Sequence, residues 1–140
     1  MEQKGDVCMM FALVNGLIAG LALAAFLALG DGLFGTSTFS VLIDVSYVPG
    51  MENLPSIVEL FIHLLISLVI AYVWVHFYPR GRGVEAAKYV CYWMLAFAAA
   101  FLPFSLLSGS ALSWTALLIW VLGHLLYTTV LVVQVKRCRE

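Results

Sequence analysis

Residues 7–29 read VCMMFALVNGLIAGLALAAFLAL, with no charged side chain among them. This stretch decides the fold class. A helix rises about 1.5 Å per residue, so about 20 such residues cross the roughly 30 Å of hydrocarbon in a bilayer. Outward from it, charge-free intervals recur. One charge, Glu59, lies between Glu52 and Arg80, and none lies between Lys88 and Lys136. The first of these intervals holds a span at residues 56–78, entered after Pro55 and stopped by Pro79. The second suits two spans, at residues 89–107 and 111–135, divided by the turn signal Ser108-Gly109-Ser110. The apolar runs are continuous rather than alternating, which argues against a membrane β-barrel. Helices also satisfy their own backbone hydrogen bonds in lipid. The expected fold is all-α: a polytopic membrane protein, a four-transmembrane-helix bundle, in one domain over residues 1–140, with an outer loop at residues 30–55.

Composition agrees. The chain is 64% hydrophobic and 11% charged, and its mean hydropathy is +1.04. A soluble domain is about 45–50% apolar and roughly 25% charged. A soluble globule this small could not hide so much apolar surface. The first span is longer than the roughly 7–15 apolar residues of a signal peptide, and Glu2 and Asp6 offset Lys4, so it is expected to be retained.

Four spans put Lys4, Arg80, Arg82, Lys88, Lys136, Arg137 and Arg139 on one side, while the other side carries Asp31, Asp44 and Glu52. The positive-inside rule then predicts both termini in the cytoplasm, N-in and C-in, in a bacterial-type inner membrane. Trp74, Phe77, Tyr78, Tyr89, Tyr92 and Trp93 crowd the same inner interface, and Trp114 sits near the outer one. Cys8, Cys91 and Cys138 also fall near the inner ends. In a reducing compartment they are expected as free thiols rather than as a structural disulfide. In the outer loop, Gly30, Gly32, Gly35, Pro49, Gly50 and Pro55 argue against one continuous helix. Residues 39–48 are expected to lie along the interface or to fold back over the bundle mouth.

Ala12, Gly16, Gly20, Ala24 and Ala28 recur every four residues in the first span. Such a stripe lets two backbones approach, against a neighbouring span or as a seam between two copies. Ala96, Ala99 and Ala100 offer a similar surface in the third span, where Pro103 is expected to be a buried kink. Intramembrane ionisable residues are the default functional candidates. His76 lies near an end and can snorkel. Glu59, His63, Ser67 and Ala71 share one face of the second span, and His124, Tyr127 and Thr128 share one face of the fourth, with Trp120 a turn outward. His63 and His124 lie roughly 10 and 16 Å below the outer surface at a helical rise. Both are expected to point into the bundle, close to each other or to Glu59.

Glu59, His63, Ser67, His124 and Tyr127 therefore form the expected polar site. Carboxylate and imidazole one turn apart suit a proton relay. Glu59, His63 and His124 are also ligand types for a transition metal, and two histidines on facing helices could hold a haem. The structural alternative pairs Glu59 with His63 and lets His124 donate to a carbonyl freed by Pro103. No cofactor is expected, with metal or haem kept open as the alternative. The sequence has no phosphate-binding loop, nucleophile elbow, zinc-protease helix or dinucleotide fingerprint, which weighs against an enzyme but leaves a His-ligated oxidoreductase open. The few basic residues hug the membrane, so the expected partners are lipid, a second copy or other membrane proteins, and not nucleic acid.

Gly16-Leu-Ile-Ala-Gly20, Ile62-His63-Leu64, Leu102-Pro103 and Gly123-His124-Leu125-Leu126-Tyr127 together resemble the YagU-like small bacterial membrane proteins of unknown function. The resemblance implies four spans and singles out His63, His124 and Tyr127. It departs at Thr128-Thr129, where the family pattern continues with glycine. It brings no activity with it. Three functional readings follow. One is a small membrane protein handling protons, ions or a small ligand at the Glu/His site in the outer half. The second is an accessory subunit acting through helix packing, and the third is a His-ligated metal or haem protein.

The charge asymmetry makes a direct prediction: a reporter fused after Arg139 reads cytoplasmic, and a tag inserted near Gly50 is accessible from outside. An external C-terminus would reverse the map.

Overall fold

The structure, a computed structural model, describes residues 2–81 and 83–140, with side chains from residue 5 onward. The Lys4 and Arg82 side chains, counted above among the basic residues, lie outside the described residues. Five helices account for the described fold: α1 (Glu2–Phe34), α2 (Thr38–Ile43), α3 (Ser56–Phe77), α4 (Val84–Leu107) and α5 (Trp114–Arg139). All but α2 are long and apolar enough to cross a membrane. This is the build of a small multi-pass membrane protein, and its exposed helix faces meet lipid.

The helix ends follow local chemistry. Tyr78 is extended, at φ −60° and ψ 130°, as a residue before proline must be, so α3 stops one residue short of it. At the end of α4, Ser110 N donates to Ser105 O and Gly109 N to Leu106 O, while Gly109 takes φ +66°. That left-handed glycine satisfies the last carbonyls and reverses the chain. Ser113 opens α5 by accepting a hydrogen bond from Ala116 N at 3.0 Å.

α1 corrects the expected boundary of the outer loop. It does not stop at residue 29 but runs through Gly30 and Gly32 to Phe34, which makes it about 50 Å long at the helical rise. Packing offsets the poor helix propensity of Gly30: a β-carbon there would lie 2.8 Å from Ile119 Cγ2, so this glycine lets α5 approach. Gly35, at φ +67°, ends the helix. The Asp31 carboxylate then turns back to accept from Thr38 N at 2.8 Å and Phe39 N at 2.7 Å. It thereby caps α2 as an anion at a helix N-terminus. α2 buries Thr38, Val41 and Ile43 and packs against α1, α3, α4 and α5. Of the two placements expected for this segment, the fold-back over the bundle mouth is the one adopted.

α1 is the central helix, packed along both α3 and α5, while α4 packs on the outside of α5. Ala12, Gly16, Gly20 and Ala24 are buried, but Ala28 is exposed. The reason is geometric. Four residues turn a helix about 400°, so a four-residue spacing drifts about 40° per step and carries the fifth member off the face. Pro103 is a second correction: it lies inside α4 as expected, yet it is exposed rather than buried, because α4 presents most of its surface outward.

Gly20 sits where α1 and α3 touch, since a β-carbon there would lie 2.6 Å from Ser67 Oγ and 3.2 Å from Leu64 Cδ2. Gly20→Leu should therefore lower thermal stability in detergent by an amount equivalent to about 1–3 kcal/mol of overpacking. Leu21→Ala, at an exposed position, should change it little. Equal tolerance of the two, read by melting of the purified protein, would count against this contact.

Candidate functional site

The four-residue spacing on α3 turns Glu59, His63, Ser67 and Ala71 toward α1 and α5. His63, Ser67 and Ala71 are buried, and Glu59, nearer the mouth, is half-buried. On α5, Trp120, Gly123, His124, Tyr127 and Thr128 are buried. Gly123 admits α1 closely, since a β-carbon there would lie 2.9 Å from Leu23 Cδ1 and from Leu27 Cδ2.

Three helices meet through hydroxyl groups. Tyr127 Oη donates to the Ser67 carbonyl at 2.9 Å. Ser67 Oγ lies 2.9 Å from the Gly16 carbonyl and 3.1 Å from Tyr127 Oη, and its single proton serves one of the two at a time. α1, α3 and α5 are thus joined at one level of the bundle. The Ser67 hydroxyl reaches the α1 backbone because Gly16 and Gly20 put no side chain in its way.

His124 is held by its own helix. Its Nδ1 lies 2.8 Å from the Trp120 carbonyl. A carbonyl can only accept, so Nδ1 carries the proton. The ring lies between Phe97 and Trp120, with centroids 4.7 and 4.6 Å away. Trp120 Nε1 in turn donates to the Phe97 carbonyl at 2.8 Å, which fastens α4 to α5. The donation expected from His124 to a carbonyl near Pro103 is replaced by this bond within α5.

Glu59 does not hydrogen-bond His63. Its Oε1 accepts from Val45 N at 3.4 Å and so faces the outer segment, which folds back to meet it. His63 is left with a different character from its neighbours. It is 9% exposed, and its Nε2 has no hydrogen-bond partner. The Gly20 backbone is the polar group its ring approaches, and His124 is within its electrostatic reach. The structure thus brings His63, Ser67, His124 and Tyr127 into one interior, and leaves Glu59 at its outer edge. His76 is exposed and stacks on Tyr72, as a residue near a helix end can.

Phe97 escaped the sequence reading, and so did the structural roles of Asp31, Asp44 and Trp74. Asp31 is the clamp of α2, foreshadowed by the threonines and serine that follow it. Phe97 supplies both a ring against His124 and the carbonyl for Trp120. Trp74 meets Tyr89 at 5.1 Å and Trp93 at 5.6 Å between ring centroids, joining α3 to α4 by aromatic contact. In the outer segment, burial pushes the Asp44 carboxyl up, but hydrogen bonds from Ser46 outweigh it and hold the group below its ordinary value. The thiol expectation is also corrected. Cys8 and Cys138 form a disulfide across 130 residues, with Cα atoms 5.6 Å apart, while Cys91 is free and exposed. The expectation rested on compartment alone, and the packing of α1 along α5 brings the two residues together.

Among the described residues, no group of three His, Cys, Asp or Glu side chains converges to hold a metal ion. Glu59 Oε1 is engaged by Val45 N instead. No family model, curated protein or solved structure matches the chain.

Tyr127→Phe removes the hydroxyl that donates to Ser67 while keeping the ring. It should destabilise the detergent-solubilised protein by about 0.5–1.5 kcal/mol, a typical net value for one hydrogen bond. Ser67→Ala in the Tyr127→Phe background should cost less than Ser67→Ala alone, because Ser67 Oγ and Tyr127 Oη lie 3.1 Å apart and each side-chain change removes that contact. Strict additivity in thermal melts would show that this contact contributes nothing.

Proposed function

We propose that the protein is a small polytopic protein of a cytoplasmic membrane, both termini inside, that handles protons through His63. One observation carries the reading: His63 Nε2 is buried without a partner. A buried polar atom with no partner costs stability, and intramembrane ionisable groups are by default functional. A proton is a ligand that a site with this little room accepts. Glu59, one turn outward and half-buried, stands between His63 and the outer water. Ser67 and Tyr127 continue the line of polar groups one turn inward.

Charge distribution supports the orientation. The chain termini and the α3–α4 turn share one end of the bundle, where Arg139 donates to Pro79 O at 2.9 Å and Tyr78 O at 3.1 Å. Arg80, Lys88, Lys136, Arg137 and Arg139 are all exposed there, and the opposite end carries Asp31, Asp44 and Glu52. The second reading, an accessory protein acting through helix packing, draws on the close approaches at Gly16, Gly20 and Gly123.

The test is proton flux in liposomes containing the purified chain and a pH-sensitive dye, driven by a potassium diffusion potential. Wild type should dissipate the gradient faster than empty liposomes. His63→Ala should return the rate to the empty-liposome level while eluting as wild type in detergent. Wild-type vesicles no leakier than empty ones, or His63→Ala as leaky as wild type, would discard the proton reading and leave the packing one.

A further inference from the structure

At the end of the bundle where the termini meet, a groove of about 520 Å³ opens between α1 and α3. Cys8 on α1 and His76 on α3 line it, together with Arg80 and Arg139. Cys8 is bonded to Cys138, and both residues are half-buried rather than sealed in the core. Arg139, next in sequence to Cys138, is held in place by its bonds to the Tyr78 and Pro79 carbonyls and lies 5.3 Å from the Tyr78 ring centroid. The pair is therefore a disulfide beside a cationic, solvent-open groove at the basic end of the molecule. In the orientation proposed above this end faces the cytoplasm, where disulfides that do form are transient and catalytic or sensing. Only that location rests on the orientation, and the chemistry does not.

The geometry points to a second activity: thiol–disulfide exchange between the Cys8–Cys138 pair and a small carboxylate-bearing thiol bound in this groove by Arg80 and Arg139. The incoming thiol gives its proton to the His76 imidazole and attacks Cys8 Sγ as a thiolate. An S–S bond to the incoming sulfur forms, the Cys8–Cys138 bond breaks, and its electron pair leaves on Cys138 Sγ. The positive charge of Arg139 favours that leaving thiolate, since a better-stabilised thiolate leaves faster. A second thiol, its proton given up to water, attacks the bound thiol's sulfur in the mixed disulfide as a thiolate and frees Cys8 as a thiolate. Both cysteine thiolates then take up protons. In sum, one protein disulfide and two thiols become one protein dithiol and one small-molecule disulfide. Run backwards, the same steps reoxidise the protein.

The test uses the full chain in detergent, with thiols counted by the mass added by a maleimide. Cys91, free and exposed, labels in every state and serves as the internal standard. The oxidised chain should take one label and the reduced chain three. Reduced glutathione, an anionic thiol, should open the disulfide about tenfold faster than cysteamine, a cationic one, at equal thiolate concentration. Each opening should release one glutathione disulfide. Arg80→Gln, at an exposed position, should cut the preference severalfold while the elution profile stays that of wild type. Equal rates with the two thiols would overturn the proposal. So would a disulfide that opens only after unfolding in dodecyl sulfate, or a reduced chain that glutathione disulfide fails to reoxidise.

Discussion

Everything in this bundle depends on how closely the backbone of α1 can approach its neighbours. Lipid offers no hydrophobic contrast between a buried and an exposed leucine, so association relies on packing and on interhelical hydrogen bonds. Gly16 and Gly20 admit α3, and Gly30 and Gly123 bring α1 and α5 together. Without those approaches the Ser67 hydroxyl could not reach the Gly16 carbonyl, and Tyr127 would have no reason to meet Ser67. The hydrogen bonds are therefore a consequence of the small residues, and they in turn set the level at which three helices are held together.

The same constraint explains why the helices have unequal standing. α1 takes the two tight contacts and is central. α4 has no comparable glycine against α5 or α3 and stays outside. It is held by the Trp120 to Phe97 carbonyl bond and by aromatic contacts around Trp74 and Trp93. An exposed α4 face makes an exposed Pro103 affordable, because a proline kink disturbs less where little packs against it.

Polar groups sort themselves within this frame by what lies in reach. Tyr127, Ser67 and His124 each find a backbone carbonyl. Glu59 finds the Val45 amide of the segment folded over the mouth. His63, buried on α3 one turn from Ser67, is left with Nε2 unpartnered. The two ends of the bundle differ as sharply. One is closed by α2 and its Asp31 clamp, and the other gathers the basic residues, a groove and the Cys8–Cys138 pair. A proton-handling interior and a redox-active end would be separate devices on one scaffold.

Helix content, the number of spans and the division of charge between the two ends were legible in the sequence, because each depends only on local runs of apolar residues and on the helical rise. The face of α3 that bears His63 and Ser67 was legible too, since a four-residue spacing stays nearly on one side over three turns. Over four turns the drift becomes large, which is why Ala28 was misjudged. The extension of α1 through Gly30 was hidden because glycine propensity is local, whereas the Ile119 contact that overrides it comes from α5. Partners were hidden for the same reason. Ser67 and Gly16 are 51 residues apart, and Cys8 and Cys138 are 130 apart. Periodicity tells which side of a helix is polar or small, but not which other helix that side will meet. That choice was made by the tertiary structure, through the mesh of glycines on α1 with the side chains of α3 and α5.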